Sequence, residues 1–420
     1  MSLPTRTDVL VVGAGPAGSA TAAWTAELGL DTVLADAATF PRDKTCGDGL
    51  TPRAIAELER LDLGDWVRSH GTNRGLRAAG FGQELLLPWP GGSLPDYGSA
   101  VPRTTLDDKI FRTALHRGAR GLEGARAVDA ERDASGRVTS VTFTIGRERT
   151  PHTVHCDRLV VADGVRSPLG RVLGREWHRE TAYGVAGRSY VKSGRADDPW
   201  ISSHLELRGE EGELLPGYGW IFPLGTAGME GGEVNLGVGA LATAKRPADL
   251  QIRPLMEYYA SLRREEWDLG GELRLPTSAL LPMGGAVSGV AGPNWILVGD
   301  AAGCVNPLNG EGIDYGLETG RVGAELLSTT TDLSVAWPTL LTEHYGEAFS
   351  IARRLAGLLT VPRLLPTLGP LGMRSHRLMT IALRVMGNLV TDEDRDLTAR
   401  AWRWAGRRSV RLDDRPPFTA

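Results

Sequence analysis

The hydrophobic pattern at the start of the chain predicts a strand, a tight turn and a helix. Residues 8–12 form a short apolar run that is typical of a strand buried inside a parallel sheet. Residues 13–18 are rich in glycine, residues 16–28 are rich in alanine and predict a helix, and residues 32–35 predict a second strand. The order of these elements is that of a β-turn-α-β unit.

Farther along, the pattern changes to antiparallel strands and then to helices. Residues 128–154 alternate polar and apolar side chains, as half-buried antiparallel strands do. Residues 181–284 also predict strands, with one helix near 247–264, and the chain beyond residue 316 predicts helices. Short apolar strands are predicted at 158–161 and 295–298.

Length, composition and charge restrict the class of protein. A chain of 420 residues with 41% hydrophobic and 23% charged residues is globular and long enough for two or three cores. The net charge of −4 does not favour nucleic acid. The three cysteines are far apart, so neither disulfides nor a metal site are expected, and we expect a reducing cytoplasm. We find no secretion signal and no apolar run long enough to span a membrane.

The turn after the first strand has the spacing of a dinucleotide-binding motif. Its glycines fit a tight turn, a backbone contact with pyrophosphate and close helix–strand packing. Asp36, at the end of the second strand, is placed to accept hydrogen bonds from ribose hydroxyls. A chance glycine-rich turn is the alternative, and the motif alone does not separate NAD from FAD. The predicted cofactor-binding residues of this turn are Gly13, Ala14, Gly15, Pro16, Ala17 and Gly18.

Two later motifs favour FAD. Residues 159–164 (LVVADG) resemble the Asp-Gly motif of the flavin hydroxylase superfamily, and residues 296–302 (ILVGDAA) resemble its Gly-Asp motif. The resemblance implies that Asp300 binds the ribityl chain and that Arg103 contacts FAD. The loop at 307–312 would direct helix N–H groups at the flavin N1/O2 edge. The further predicted cofactor-binding residues are Asp163, Gly164, Gly299, Pro307, Gly310, Gly312 and Ile313.

Two more segments resemble the geranylgeranyl reductase family of FAD-dependent oxidoreductases. They are FPRDKTCGDGL at residues 40–50 and GYGWIFP at residues 217–223, followed by Gly237-Val-Gly239. Runs along the whole chain are similar to the menaquinone-reducing members of this family, which saturate one double bond in the menaquinone side chain. The resemblance implies an FAD-dependent reductase acting on a CH–CH bond of a polyprenyl lipid.

The fold that these resemblances imply is an α/β fold with three parts. A Rossmann-type FAD-binding domain of the flavin hydroxylase superfamily is expected at residues 1–70, 99–170 and 285–350. An inserted antiparallel β-sheet domain for the substrate is expected at residues 71–98 and 171–284. A helical C-terminal segment, with possible membrane contact, is expected at residues 351–420.

The reaction that the family resemblance implies needs a hydride and a proton on adjacent carbons of an unpolarised alkene. Tyr218, Trp220 and Phe222 are predicted substrate-binding residues, because alternate side chains of one strand share a face. Pro223, which ends the same family motif, is the fourth predicted substrate-binding residue. Cys46, Tyr218 and Trp220 are the predicted catalytic residues. Cys46 is expected to position the lipid or relay a proton from water. The loop residues Cys46, Gly47, Asp48 and Gly49 are expected at the flavin.

Each of these assignments has a purely structural alternative. An aromatic row on a strand is usually part of a core, and a lone cysteine is usually inert. Two roles are possible for Glu311: it could cap the helix that follows it, or it could act at the flavin. As functions, a reductase of geranylgeranyl lipid or diphosphate, a flavin monooxygenase or halogenase, and a non-catalytic carrier remain alternatives to menaquinone reduction.

The C-terminal segment differs in charge from the rest of the chain. Residues 353–390 contain six arginines and no acidic residue, together with many leucines. Pro362, Pro366 and Pro370 are expected to interrupt the first part, and Arg377 and Arg384 lie among apolar residues at helical spacing. An amphipathic helix packed on the FAD domain is one interpretation. Peripheral contact with the inner face of the cell membrane is the one that we favour for a lipid enzyme. The electron donor is open between NAD(P)H and a redox protein.

Overall fold

The computed structural model describes residues 3–248 and 250–419 of the chain. Its strands form one sheet of eight strands, one of seven and two of two strands each. The strands, in chain order, are β1 (Arg6–Val12), β2 (Thr32–Ala35), β3 (Gly49–Leu50), β4 (Gly75–Gly80), β5 (Gln83–Pro88), β6 (Ser99–Ala100), β7 (Arg120–Leu122), β8 (Ala125–Arg132), β9 (Val138–Ile145), β10 (Thr150–Val161), β11 (Glu176–Trp177), β12 (Tyr183–Ser193), β13 (Ile201–His204), β14 (Gly217–Pro223), β15 (Glu233–Ala242), β16 (Leu269–Pro282), β17 (Val287–Ser288), β18 (Ala291–Gly292) and β19 (Trp295–Leu297).

The helices cover the sheets and make up most of the C-terminal part. A π-helical turn at Thr342–Gly346 joins two of them without a break. In chain order the helices are α1 (Pro16–Glu27), α2 (Pro52–Arg60), α3 (Gly64–Ser69), α4 (Arg103–His116), α5 (Pro168–Val172), α6 (Ile252–Arg263), α7 (Ile313–Thr329), α8 (Leu333–Leu341), α9 (Glu347–Leu359), α10 (Leu364–Met373), α11 (His376–Met386) and α12 (Leu397–Arg411).

The eight-stranded sheet contains the predicted β-turn-α-β unit. Its order is β18-β19-β10-β1-β2-β7, and β9 and β8 extend it from β10. The strands β19, β10, β1, β2 and β7 are parallel, and the apolar side chains of β1 are buried. Helix α1 packs on α4 and α7 through small residues; a Cβ at Gly320 would lie 2.6 Å from the carbonyl oxygen of Ala17. The predicted Rossmann-type topology is confirmed.

One long strand takes the place of two predicted ones. The segment at 158–161 is the end of β10, which is continuous with the antiparallel hairpin strand before it. The first half of β10 pairs antiparallel with β9, and the second half pairs parallel with β1. The change of partner explains why the sequence pattern changes from alternating to uniformly apolar along a single strand.

The seven-stranded sheet has the order β16-β12-β15-β14-β13-β4-β5. This sheet is antiparallel, as expected, except at one pair, because β4 and β13 run parallel. The hairpin β4–β5 comes from residues 71–98, far from β13 in sequence, so no tight turn dictates the direction in which the two strands meet. Helix α6 covers one face of this sheet, where Leu255, Met256 and Tyr259 are buried.

The C-terminal segment is helical, as predicted, but only one of the three prolines interrupts it. Pro362 lies between α9 and α10, as expected. Pro366 and Pro370 lie within α10. Pro366 is in the first turn, where a backbone N–H has no partner to lose. The helix continues past Pro370, and Met373 at its end packs with Leu87 and Trp89 of the β4–β5 region. Tertiary packing therefore outweighs the hydrogen bond that the proline removes.

Candidate active site

Two glycines of the first turn are required by close backbone contacts. Gly13 has a φ of +103°, and a Cβ there would lie 2.3 Å from the carbonyl oxygen of Ala162. A Cβ at Gly18 would lie 1.7 Å from the carbonyl oxygen of Gly13. Both distances are far shorter than any van der Waals contact, so side chains are excluded. The two glycines have the tight-turn and helix-packing roles that the motif predicted.

The middle glycine of the motif faces cationic side chains. A Cβ at Gly15 would have as its nearest neighbours the guanidinium nitrogens of Arg42 and Arg103, at 3.6 and 3.8 Å. Lys44 lies in the same region; burial lowers its pKa, Asp300 opposes this, and Arg103 and Arg42 lower it further. Three cations beside a glycine that begins a helix suit the negative charges of a pyrophosphate.

Asp107 fixes the two arginines. Arg103 donates to its two carboxylate oxygens at 2.6 and 2.7 Å, and Arg42 donates at 2.9 Å. One carboxylate between two guanidinium groups leaves a net positive charge towards the cleft. Arg103 was predicted at this site, whereas Arg42, Lys44 and Asp107 were not. The two basic residues of the run at residues 40–44 were the signal that sequence reasoning missed.

Two of the predicted carboxylates brace turns of the protein itself. Asp36 accepts a hydrogen bond from the backbone N–H of Ala14 at 2.7 Å. Asp163 accepts from the Ser167 hydroxyl at 2.5 Å and from the Leu169 N–H at 2.8 Å, at the start of α5. A carboxylate has about four acceptor positions, so both side chains keep capacity for a ligand. Within the protein, the Asp36 and Asp163 carboxylates stabilise the turns beside Gly13 and Gly164.

Asp300 differs from these carboxylates. It lies in the 3₁₀ turn Gly299–Ala302 after β19, deep in the cleft but partly accessible. Its backbone carbonyl accepts from the Gly303 N–H at 3.0 Å, but its carboxylate accepts no hydrogen bond from the described residues. Burial raises its pKa, and Lys44, Arg103 and Arg175 oppose this. A carboxylate that faces a cleft without a protein donor fits a ligand that presents neutral hydroxyls, as a ribityl chain does.

The loop before α7 lies beside Asp300. A Cβ at Gly312 would be 2.9 Å from a carboxylate oxygen of Asp300. Helix α7 begins at Ile313 with Gly312 as its N-cap, and no side chain caps it. Glu311 is therefore not the helix cap; its carboxyl accepts from the Thr51 hydroxyl instead. Burial raises the pKa of Glu311 well above its usual value, and the nearby Asp314 raises it further.

The aromatic residues of β14 lie on one face of the sheet, as the strand alternation predicted. The ring centroids of Tyr218 and Trp220 are 5.9 Å apart, and those of Trp220 and Phe222 are 6.3 Å apart. Gly237 makes room for them, since a Cβ there would be 2.2 Å from the Trp220 ring. On the opposite face, Gly219 lies against Tyr259 of α6. The two faces of β14 therefore have different roles, and the helix covers only one.

The loop that contains Cys46 packs on this aromatic face. A Cβ at Gly47 would lie 3.3 Å from the Trp220 indole nitrogen, and one at Gly49 would lie 3.0 Å from the Phe222 ring. Pro223 ends the strand and is half-buried. The structure thus brings together two segments more than 160 residues apart, which the family resemblance had named separately.

A buried carboxylate holds the loop in place. Asp48 accepts from the Tyr190 hydroxyl at 2.7 Å, from the Asn235 amide at 2.8 Å and from the Arg103 N–H at 3.2 Å. Its φ is 63°, a conformation that is uncommon for a non-glycine residue. Burial raises the pKa of Asp48 to about 6, and the hydrogen bonds from Tyr190 and Asn235 oppose this. The prediction that placed Asp48 at the cofactor did not foresee that its carboxylate is enclosed by the protein.

Asn235 joins this carboxylate to the aromatic row. Its amide carbonyl accepts from the Trp220 indole N–H at 2.9 Å, and its amide nitrogen also donates to the Cys46 carbonyl at 2.9 Å. Trp220 is therefore buried and fixed, whereas Tyr218 is half-buried and donates to the Asn309 carbonyl at 2.6 Å. Asn235 and Tyr190 had no motif, so sequence reasoning had no signal for them.

Cys46 is unsuited to act as an acid in this position. Burial raises the pKa of its thiol, and Arg103 opposes the increase. The Asp48 N–H donates to its sulfur at 3.3 Å. A thiol whose pKa is above its already high usual value transfers a proton to an alkene reluctantly. This favours the predicted role in positioning over direct proton donation.

Comparisons with known proteins agree with this site. Residues 6–212 match a model described as an FAD binding domain. Menaquinone reductase from Mycolicibacterium smegmatis is 64% identical over 417 residues, covering 99% of this chain and 100% of that protein. Menaquinone reductase from Mycobacterium tuberculosis is 62% identical over 419 residues, covering 100% of both.

More distant relatives share the fold. Digeranylgeranylglycerophospholipid reductase 1 from Methanopyrus kandleri is 29% identical, covering 84% of this chain and 90% of that protein. A geranylgeranyl bacteriochlorophyll reductase-like protein from Thermoplasma acidophilum superimposes with a TM-score of 0.74 at 20% identity, covering 95% of this chain and 99% of that one. A flavin-dependent brominase gives a TM-score of 0.73 at 19% identity, covering 97% of this chain and 100% of that one. At these identities the two structures establish the flavin hydroxylase-type fold alone. With full-length identity above 60% to two of its members, the chain belongs to the menaquinone reductase family of FAD-dependent oxidoreductases.

Proposed function

We propose that this protein is an FAD-dependent reductase that saturates an isolated double bond in the isoprenoid side chain of menaquinone. The observation that carries the proposal is the 64% identity with a menaquinone reductase over its full length. The aromatic row opposite the Cys46 loop supports it, because a hydrocarbon chain offers only apolar surface for recognition. FAD, when bound and reduced, would supply the hydride.

The protein's own residues prepare the site for this substrate. Tyr218 and Phe222 are half-buried on either side of Trp220, which the Cys46 loop covers, so their rings offer the aromatic edges that can contact an alkene and stabilise transient positive charge on carbon. Asn235 and Asp48 hold the Cys46 loop against this aromatic row. We assign Cys46 to lipid placement and a water molecule to immediate proton donation, because burial makes the thiol a weaker acid.

The direct test is to incubate the FAD-loaded protein anaerobically with a reductant and menaquinone, and to weigh the extracted lipid. We expect a quinone heavier by one pair of hydrogen atoms in its side chain. A product with one added oxygen atom would assign a monooxygenase instead. An unchanged menaquinone together with a reduced geranylgeranyl lipid or diphosphate would assign the second candidate, which the 29% identity with a digeranylgeranylglycerophospholipid reductase favours.

The same preparation identifies the electron donor. NADH and NADPH are added in turn to the oxidised holoprotein without oxygen, and bleaching of the visible flavin absorbance is followed. Rapid bleaching by either nucleotide assigns NAD(P)H as the donor. Bleaching only by a reduced redox protein assigns the donor to that class.

We expect Cys46→Ser to lower alkene reduction by about tenfold while FAD stays bound and reducible. Serine keeps the size of the side chain but replaces a polarizable sulfur by a strongly hydrated hydroxyl beside the aromatic surface. The measurement is single-turnover oxidation of pre-reduced enzyme by menaquinone, with flavin content as a control. Cys156→Ser is the matched control variant, since Cys156 is buried in the core of the FAD domain. Parental rates for Cys46→Ser would place the reacting bond elsewhere.

We also propose that the C-terminal segment binds the inner face of the cell membrane. Five apolar side chains of α9, α10 and α11 are between 43% and 59% exposed, and we call them the C-terminal apolar surface: Leu358, Leu368, Leu371, Leu378 and Ile381. Arg363, Arg374 and Arg377 are exposed beside it and form no salt bridge with the described residues. Arg384 is not available for lipid, because it pairs with Asp396 at 2.8 Å and Asp394 at 3.3 Å. None of the helices in the described part of the chain has the length and hydropathy needed to cross a bilayer.

Replacing Arg363, Arg374 and Arg377 by glutamate should greatly weaken binding to anionic liposomes. Each arginine near an anionic headgroup contributes about 1 kcal/mol, so the triple variant should lose at least about a hundredfold in affinity, and added salt should weaken the parent. The measurement is co-sedimentation with vesicles of anionic lipid. A triple glutamate variant of the exposed Arg126, Arg147 and Arg149 is the matched control. Equal binding by all three proteins would reduce the segment to a packing element.

A further inference from the structure

An apolar cleft lies where the seven-stranded sheet meets the C-terminal segment. Its volume is about 350 Å³, which is within the range of small-molecule sites. Its walls are residues 214–216 just before β14, the end of β15, the following loop and residues from 359 to 365. Arg246 and Thr360 are its polar lining residues; the arginine donates to the threonine hydroxyl at 2.7 Å and to the Gly357 carbonyl at 3.1 Å. The described lining contains no acidic residue, so its free surface is suited to hydrocarbon.

The cleft continues the face of the sheet that carries the aromatic row. Gly239 of β15 is the partner of Tyr218 in the sheet, and a Cβ at Gly239 would lie 3.5 Å from the Trp220 ring. Leu241 is two residues farther along β15, and alternate residues of an extended strand share a face. Leu241 lines the cleft. At a rise of about 3.3 Å per residue, the cleft begins roughly 7 Å beyond Tyr218 along the strand.

The other end of the cleft adjoins the C-terminal apolar surface. Leu359, at the end of α9, lines the cleft, and the preceding Leu358 is 53% exposed. Leu365 of α10 lines the cleft, and Leu368, one turn later, is also 53% exposed. Apolar side chains therefore run from the surface through the cleft towards the aromatic row. A flexible hydrocarbon could follow this route without crossing water, which is the condition for taking a lipid from a bilayer.

We propose that this cleft holds the part of the polyprenyl chain that extends beyond the reacting double bond. The proposal rests on the proposed function, and it makes the cleft a site that distinguishes long side chains from short ones. The aromatic row contacts the chain around the reacting bond, and the cleft binds the remainder. Binding energy from that remote part holds the chain in register, so that long quinones bind more tightly than truncated ones.

The test compares menaquinones with a geranyl and with a long polyprenyl side chain, both dissolved in detergent so that membrane binding plays no part. Leu365→Asp places a charge on the cleft wall. We expect it to raise the KM for the long-chain quinone by about tenfold or more, because hydrocarbon does not solvate a carboxylate. The KM for the geranyl quinone and both kcat values should stay at parental levels. Thr367→Asp, exposed on the same helix and outside both the cleft lining and the C-terminal apolar surface, is the matched control and should behave as the parent.

Ala248→Phe is an independent variant that fills the cleft instead of charging it, and it should give the same selective rise. Parental KM values for both cleft variants, or equal losses with both quinones, would overturn the proposal. With either of these outcomes the parent protein still reduces menaquinone, so the proposed function is unaffected. A parent that reduces neither quinone would instead reject the proposed function itself.

Discussion

Replacing Asp300 by alanine should yield protein that has lost most of its FAD. The carboxylate faces the cleft without a donor from the described protein, and burial raises its pKa while Lys44 and Arg103 oppose the increase. Hydrogen bonds from ligand hydroxyls to a carboxylate contribute about 1.5–3 kcal/mol each, so losing two would weaken FAD binding by at least about a hundredfold. The measurement is the ratio of flavin to protein after gel filtration, followed by titration with FAD.

Asp300→Asn is the conservative control for this prediction. An amide keeps the shape and one acceptor oxygen, so we expect intermediate FAD retention. Far-ultraviolet circular dichroism establishes that each variant is folded. Asp163→Asn provides a second comparison, because Asp163 bonds to Ser167 and Leu169 within the protein and its loss should disturb the turn more than the ligand. Full FAD occupancy in Asp300→Ala would contradict the role assigned to this residue.

Replacing Asp48 by alanine should lower menaquinone reduction by about a hundredfold while FAD stays bound. The change removes the acceptor of Tyr190, Asn235 and the Arg103 N–H, and it frees the Cys46 loop from the aromatic face. Displacing a positioning element by about 1 Å can reduce a rate by about two orders of magnitude. The three donors left unpaired should also destabilise the fold by about 1–3 kcal/mol each. Steady-state kinetics and thermal unfolding measure the two effects.

Conservative variants separate positioning from general instability. Tyr190→Phe removes one donor only, so its unfolding free energy should fall by about 1 kcal/mol and its rate by much less than in Asp48→Ala. A rate unchanged in Asp48→Ala, despite lost stability, would make the carboxylate purely structural.

The raised pKa of Asp48 gives a pH test. The folded carboxyl has a pKa of about 6 against an ordinary value of 3.8, so the folded state binds the proton more tightly than the unfolded state. Its contribution to stability is therefore greatest below pH 4 and falls by about 3 kcal/mol as pH rises to 6 and above. Asp48→Asn does not titrate. Its unfolding free energy relative to the parent should rise across this window, and a constant difference would contradict the assigned pKa.

Several features of this protein follow from local sequence. Gly13 and Gly18 lie where any side chain would meet backbone within 2.5 Å, so the motif itself specifies the turn. The apolar run of β1 and the alternation of Tyr218, Trp220 and Phe222 identify which side chains share a face. These inferences hold because they depend on neighbouring residues, whose geometry the helix and strand periods fix.

Tertiary structure alone decided how the separate motifs meet. Asp48, Tyr190 and Asn235 come from a loop and two strands far apart in sequence, and each looks ordinary in its own segment. The parallel pairing of β4 with β13 and the continuation of α10 past Pro370 also depend on partners outside the local pattern. The pairing of Arg384 also could not be predicted from the arginine-rich stretch, because its acidic partners Asp394 and Asp396 lie beyond that stretch. Local propensities differ by a few kcal/mol at most, so contacts between distant segments determine these outcomes.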